Sequence, residues 1–172
     1  AEAASEEEGS GRGVIVTNAT FRAAPWADAM YGMDRAFWAA PSSDSKRWPS
    51  VLHEAIDRFE GQRIVPFALD RCRRERFRKC TNSGAGAIAL AAHWGAARII
   101  LLGYDCKFGA DGRRHHHPDH PAPLGNCGSL KRWGGEFRKL ADELRGRVSI
   151  LNASRDTALT MFPRATLEEA LS

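Results

Sequence analysis

Apolar positions fall along the chain in short blocks of two kinds. Val14–Thr17 is a β-branched run behind Gly13 and predicts a buried strand. Ala29–Met33, which follows Pro25 and closes at Asp34, predicts a second. Ile64–Leu69 predicts a third, and Pro66 within it marks an edge position or an early end. Arg98–Gly103 is apolar on both faces, as strands inside parallel sheets are, and Val148–Leu151 predicts the last strand. The remaining blocks keep helical spacing. Apolar residues at 51, 52, 55, 56 and 59 predict a helix over Val51–Phe59, closed by Gly61. Asn82 and Ser83 stand where a cap belongs, ahead of a helix through Ala85–Trp94 that ends at Gly95. Its alanines at 87, 89, 91 and 92 make it narrow enough to lie close on a sheet. Leu130–Leu144 carries Trp133, Phe137, Leu140, Ala141 and Leu144 on one stripe. Thr166, with Glu169 three residues on, predicts a capping box on a short terminal helix to Leu171.

Strand and helix alternate, which is the pattern of an α/β fold with a mostly parallel sheet of about five strands. Residues 1–13 are acidic and rich in Gly and Ser, with nothing to bury, and read as a flexible tail; residues 14–172 read as one domain. Residues 106–129 hold four Gly, three Pro and four His and read as a long loop, a length that is usually functional or disordered.

Composition excludes several classes. No apolar run approaches the roughly 20 residues of a membrane span, and no signal-peptide pattern opens the chain. Four cysteines in 172 residues are too sparse for a disulfide scaffold and suit a reducing cytosol, so the expected location is cytoplasmic. The net charge of +4 rests on 20 Arg against 5 Lys. Arginine favours bidentate phosphate recognition, and a GC-rich coding bias gives the same imbalance. The charge concentrates in Arg71–Lys79, where six basic residues surround one acid. Such a run suits nucleic-acid or nucleotide phosphates, and suits a solvated face better.

Ligands in open α/β sheets bind beyond the carboxyl ends of the strands. The polar residues at those ends are Asn18 and Thr20, Asp34, Tyr104 and Asp105, and Asn152 and Ser154. Asn82-Ser83-Gly84 opens the small-residue helix, where free N–H groups and the positive dipole end suit an anion. The same three residues also suit a plain cap. The cluster His115–His117, Pro118, Asp119, His120 leaves three readings open. A metal site would use His117 and His120 with Cys106 or Cys127. A catalytic reading makes one His a general base. The third reading is an exposed polar loop. His93, beside Trp94, reads as a packed core histidine.

The stretches VTNATFRAAPWADAMYGMD, TNSGAGAIALAAHWGAARIILLGYD and ILNASRDTALTMFPRATLEEAL, with the His-Pro loop between the last two, resemble a Rossmann-like family common in bacteriophage genomes. That family is similar to the domain-of-unknown-function-115 proteins and, more distantly, to bacterial sialyltransferases that use CMP-sialic acid. The resemblance spans about residues 13–172. It implies a three-layer Rossmann-like fold and a nucleotide or nucleotide-sugar site. By that resemblance Asn18, Ser83 and Gly84 would contact the nucleotide and Gly103 and Asp105 would lie near the phosphates and sugar, while Thr20, Asp34, Asn82 and Tyr104 join the candidate binding residues by their place at strand ends and the helix start. His117 or His120 would be the base that deprotonates an acceptor hydroxyl, with CMP leaving and no metal required. The family opens with a strand and a Gly-Pro-Ser nucleotide loop that have no counterpart in residues 1–13, so the expected sheet lacks its first strand. The alternative implied by that loss is an inactive phage morphogenesis protein whose partners are other structural proteins of the virion.

Overall fold

The computed structural model describes residues 11–38, 56–113, 128 and 130–172. Four strands pair in chain order, all parallel: β1 (Ile15–Thr17), β2 (Ala29–Tyr31), β3 (Gln62–Val65) and β4 (Arg73–Arg74). Two more, β5 (Arg98–Leu101) and β6 (Ser149–Asn152), form a second parallel sheet. The α/β class and the parallel pairing therefore follow the alternation of the sequence. The strands divide into two sheets, however, instead of forming one of about five.

Side chains alternate across the four-stranded sheet as a pleat requires. Val16, Met30 and Val65 point into one cluster with Phe21, Phe37, Trp38, Ile56 and Phe59. Ile15, Ala29, Tyr31 and Ile64 point into another beneath helix α2 (Ser83–His93), where Ala87 and Leu90 meet them. The opposite side of α2, with Ala85, Ile88 and Ala89, joins a third cluster. There it meets Leu101 and Ile150 of the second sheet and Phe137, Leu140 and Leu144 of helix α3 (Leu130–Leu144). One helix thus packs against both sheets, which its alanines and glycines permit. A Cβ on Gly86 would lie 2.3 Å from Tyr31 Cε1.

Several boundaries move from their sequence positions. β2 stops at Tyr31 because Trp38 Nε1 donates to the Gly32 carbonyl at 3.0 Å, folding the chain into helix α1 (Arg35–Trp38). β3 ends before Pro66, yet it lies inside the sheet between β2 and β4, so the proline marks an end and not an edge. β4 lies inside the basic run, where no apolar period announces a strand. β5 departs from the strand buried on both faces: Arg98 is exposed, Ile99 and Ile100 are half-buried, and only Leu101 is buried. The chain leaves β5 through exposed Leu102 and a left-handed Gly103. The terminal helix α4 (Leu167–Leu171) has the expected capping box, with Thr166 Oγ1 accepting from Glu169 N and Glu169 Oε2 accepting from Thr166 N. Of the Val51–Phe59 helix only Ile56 onward falls among the described residues, and the tail is described only from Gly11.

Candidate ligand-binding site

The first turn of α2 sits over the carboxyl ends of β1 and β2, and three separate segments meet there. The Met33 N–H donates to Ser83 Oγ at 3.4 Å, and Ser83 Oγ donates to Asn18 Oδ1 at 3.3 Å. Asn18 follows β1 directly and is held at φ 48°, in the left-handed region that asparagine tolerates better than most residues. With Oδ1 engaged, its Nδ2 makes no hydrogen bond among the described residues and is left as a donor. The main-chain N–H groups of Ser83 and Gly84, at the open end of the helix, complete a small group of donors.

Other predicted residues are nearby with structural tasks. Asn82 is the N-cap: its Oδ1 accepts from Ala85 N at 2.8 Å and its Nδ2 donates to Glu136 Oε2 at 2.7 Å. Tyr104 donates its hydroxyl to the Gly84 carbonyl at 3.1 Å, and its N–H to Ser154 Oγ at 2.8 Å. Its ring meets Phe137 edge-on. Burial pushes the Tyr104 hydroxyl well above the usual phenol range, so it remains a donor. Burial does the same to Tyr31, helped by Cys80, Asp34 and Glu136. Asn152 and Ser154 are buried and hydrogen-bonded within the chain. Asn152 Oδ1 accepts from Ser154 N, its Nδ2 donates to Thr157 Oγ1, and the Ser154 carbonyl accepts from Arg164. They fasten the loop after β6.

Thr20 lies half-buried in the short 3-10 turn Asn18–Arg22, its carbonyl accepting from Ala23 and Ala24. Asp34 is exposed, and its carbonyl starts α1. Asp105 is exposed and lines a shallow depression of about 190 Å³ with Lys107, Phe108, Gly109, Ala110 and Asp156. That volume is below the roughly 300 Å³ at which ligand pockets begin. Lys107 holds the Asp156 carboxyl below its ordinary range through a 2.6 Å ion pair. His117 and His120 lie outside the described residues, as do Cys127 and the rest of the His cluster. Among the described residues no group of three or more His, Cys, Asp or Glu is placed to hold a metal. His93 is half-exposed at the last turn of α2, stacked on Phe77 and 3.8 Å from Glu75 Oε2, so it is not a core histidine.

Sequence reasoning missed Glu136. From α3 its carboxylate accepts from Thr81 N at 2.6 Å, Thr81 Oγ1 at 2.6 Å and Asn82 Nδ2 at 2.7 Å. It places a native negative charge at the start of α2, where the dipole favours one. A glutamate on the polar flank of an amphipathic helix carries no sequence signal that would single it out. The basic run is partly neutralised in the same way: Arg71 pairs with Asp57, Arg73 with Glu75, and Arg78 with Glu143. The Arg78 guanidinium holds the Glu143 carboxyl below its usual value.

No family model, no curated protein and no solved structure matches this chain. No helix among the described residues is long and apolar enough to cross a membrane.

Proposed function

We propose that the chain binds a nucleotide or nucleotide-sugar at the carboxyl ends of β1 and β2, on a Rossmann-like fold, as a group transferase of the glycosyltransferase kind. The observation that carries this reading is the Met33–Ser83–Asn18 hydrogen-bond relay at the open end of α2. Asn18 there has an uncommon backbone conformation, and its amide Nδ2 makes no hydrogen bond among the described residues. Backbone conformations of that kind cluster at ligand sites. Glu136 already supplies the charge at the helix start, so the neutral donors suit the base and ribose better than the phosphates. Asp34 and Asp105, exposed beyond β2 and β5, suit the hydroxyls of a sugar. A His of the loop after β5, His117 or His120, is the proposed base.

The test is calorimetric titration with CMP, with and without a divalent cation, beside an Asn18→Ala, Ser83→Ala double variant. Saturable heat that the double variant loses is the expected result. No heat with CMP, UMP, GMP or AMP would overturn the nucleotide reading. A second reading, a virion assembly protein that keeps the fold, is favoured by Trp26, which is 71% exposed at the end of the sheet away from the donors. Incorporation of the chain into particles, blocked by Trp26→Ser, is its mark.

A further inference from the structure

A second concentration of basic charge, outside the Arg71–Lys79 run, lies on α3. Lys131, Arg138 and Arg145 recur at seven-residue intervals, about two turns of helix, and so share one side. Arg132 and Lys139 repeat the interval one position on. All five are exposed. The apolar side of the same helix, with Phe137, Leu140 and Leu144, is buried in the third cluster.

Three of these cations have an acid four residues further along the helix, at the spacing of an ion pair. The pairs would be Arg132–Glu136, Arg138–Asp142 and Lys139–Glu143. In the folded chain each acid is engaged elsewhere. Glu136 accepts from Thr81 and Asn82, Asp142 pairs with Arg145 at 2.5 Å, and Glu143 pairs with Arg78. Lys131, Arg132, Arg138 and Lys139 therefore make no ion pair among the described residues. The first two also stand where the helix disfavours them. The first turn of α3 holds no acid, and its positive dipole end repels Lys131 and Arg132. Cations kept at a cost to their own helix point to a use outside it.

The neighbouring chain extends the same charge. Arg78 bonds to Glu143 and Thr81 to Glu136, which lays exposed Lys79 along the flank of α3. Exposed Gly135 stands between Lys131 and Lys139, and a Cβ added there meets open space. With no side chain at that point, a ligand can approach the helix backbone closely.

We infer that the exposed face of α3 binds duplex DNA through its phosphates, without reading sequence. Its 15 residues form a row about 22 Å long. Duplex DNA carries one charge for every ~1.7 Å of its axis, so each cation has a phosphate within reach. α3 contains no Ser, Thr, Asn or Gln to bond base edges or 2′-hydroxyls. Trp133 and Phe137 pack into the core cluster, which leaves unpaired bases nothing on this face to stack on. The apolar side of the helix is covered as well, so it has nothing to insert into a bilayer. The inference stands apart from the nucleotide reading, whose donors lie at the start of α2.

The experiment uses the full chain and a fluorescein-labelled duplex of about 30 base pairs, with anisotropy read from about 50 to 200 mM KCl. The expected result is saturable binding whose log Kobs falls against log salt with a slope of about −4, close to one step for each unpaired cation. The triple variant Arg132→Gln, Arg138→Gln, Lys139→Gln should flatten that slope by about 3. Arg22→Gln, Arg71→Gln, Arg74→Gln removes the same charge from around the four-stranded sheet and should leave the slope unchanged. Absence of saturable binding, or a slope shallower than about −2 in the unaltered chain, overturns the inference. So does an equal loss in both variants, which would mean that net charge and not this face attracts DNA. Tighter binding to single-stranded RNA of the same length, or to phosphatidylserine vesicles, would assign the face to that partner and equally overturn it. The Tm of the α3 variant should hold or rise, because a cation has left the positive end of the helix. A fall would show that the cations serve the fold, and would overturn the inference too.

Discussion

Removing the Glu136 carboxylate tests whether α3 sets the position of the candidate site. In the folded chain this carboxylate accepts three hydrogen bonds, two from Thr81 and one from Asn82. A hydrogen bond to a charged group contributes about 1.5–3 kcal/mol when its donor is buried. Thr81 is exposed, so water takes over its two donors in Glu136→Ala at little cost. Asn82 is 7% exposed, and its Nδ2 loses its partner where water reaches it poorly. The expected loss is therefore about 2–3 kcal/mol, dominated by Asn82. At about 2–4 °C per kcal/mol for a domain of this size, Tm should fall by about 5–10 °C.

Glu136→Gln keeps one carbonyl oxygen as acceptor but turns an NH2 group toward a donor, so about half of that loss is expected. The assay is thermal unfolding followed by circular dichroism, run with Thr81→Val and the Glu136→Ala, Thr81→Val double variant as a cycle. The Glu136–Thr81 coupling should be about 0.5–1 kcal/mol, smaller than the cost of Glu136→Ala itself. A Tm change below about 2 °C in Glu136→Ala would refute the reasoning. It would mean that the loop before α2 holds its place without α3.

Three further outcomes follow from the packing and the titrating groups. Gly86→Ala should destabilise, because overpacking against Tyr31 costs about 1–3 kcal/mol and exceeds the roughly 1 kcal/mol gain in helix propensity. Gly134→Ala, with open space at the added Cβ, should stabilise by about 0.5–1 kcal/mol, and urea midpoints moving in the same direction for both would sink the packing argument. Burial keeps the Tyr31 and Tyr104 hydroxyls, and the Cys72 and Cys80 thiols, protonated in the folded chain beyond the pH at which they ionise when unfolded. The unfolded state then binds fewer protons, so the part of the stability linked to these four groups is complete below about pH 8.5 and declines above it, more steeply beyond about pH 10. Urea midpoints across that range check it: Tyr104→Phe should flatten the upper part, and a phenolate signal rising in the still-folded protein would contradict it. Thr166→Ala should cost about 1 kcal/mol and speed amide exchange at Ala170 and Ser172, whereas unchanged exchange would show that α4 does not depend on its cap.

The parts of this protein legible in its sequence are those decided by local chemistry. The span of α3 follows from its apolar stripe, the Thr166–Glu169 capping box from two residue types at one spacing, and the Asn82 cap from a single side chain ahead of a run of small residues. The α/β class follows because strand and helix periods alternate. Asn18, Ser83 and Gly84 could be nominated because each lies at a strand end or a helix start. Their meeting depended on how the elements pack. Nothing local joins Asn18 to Ser83, 65 positions apart, or brings Glu136 to Thr81 and Asn82. The same holds for β4, two arginines made into a strand by the ladder of β3. It holds as well for the division into two sheets, because nothing in the local pattern of a strand says which strand it will pair with. Periodicity states which residues face a core. Which core they share is decided only when distant segments compete for the same hydrogen bonds and the same apolar surface.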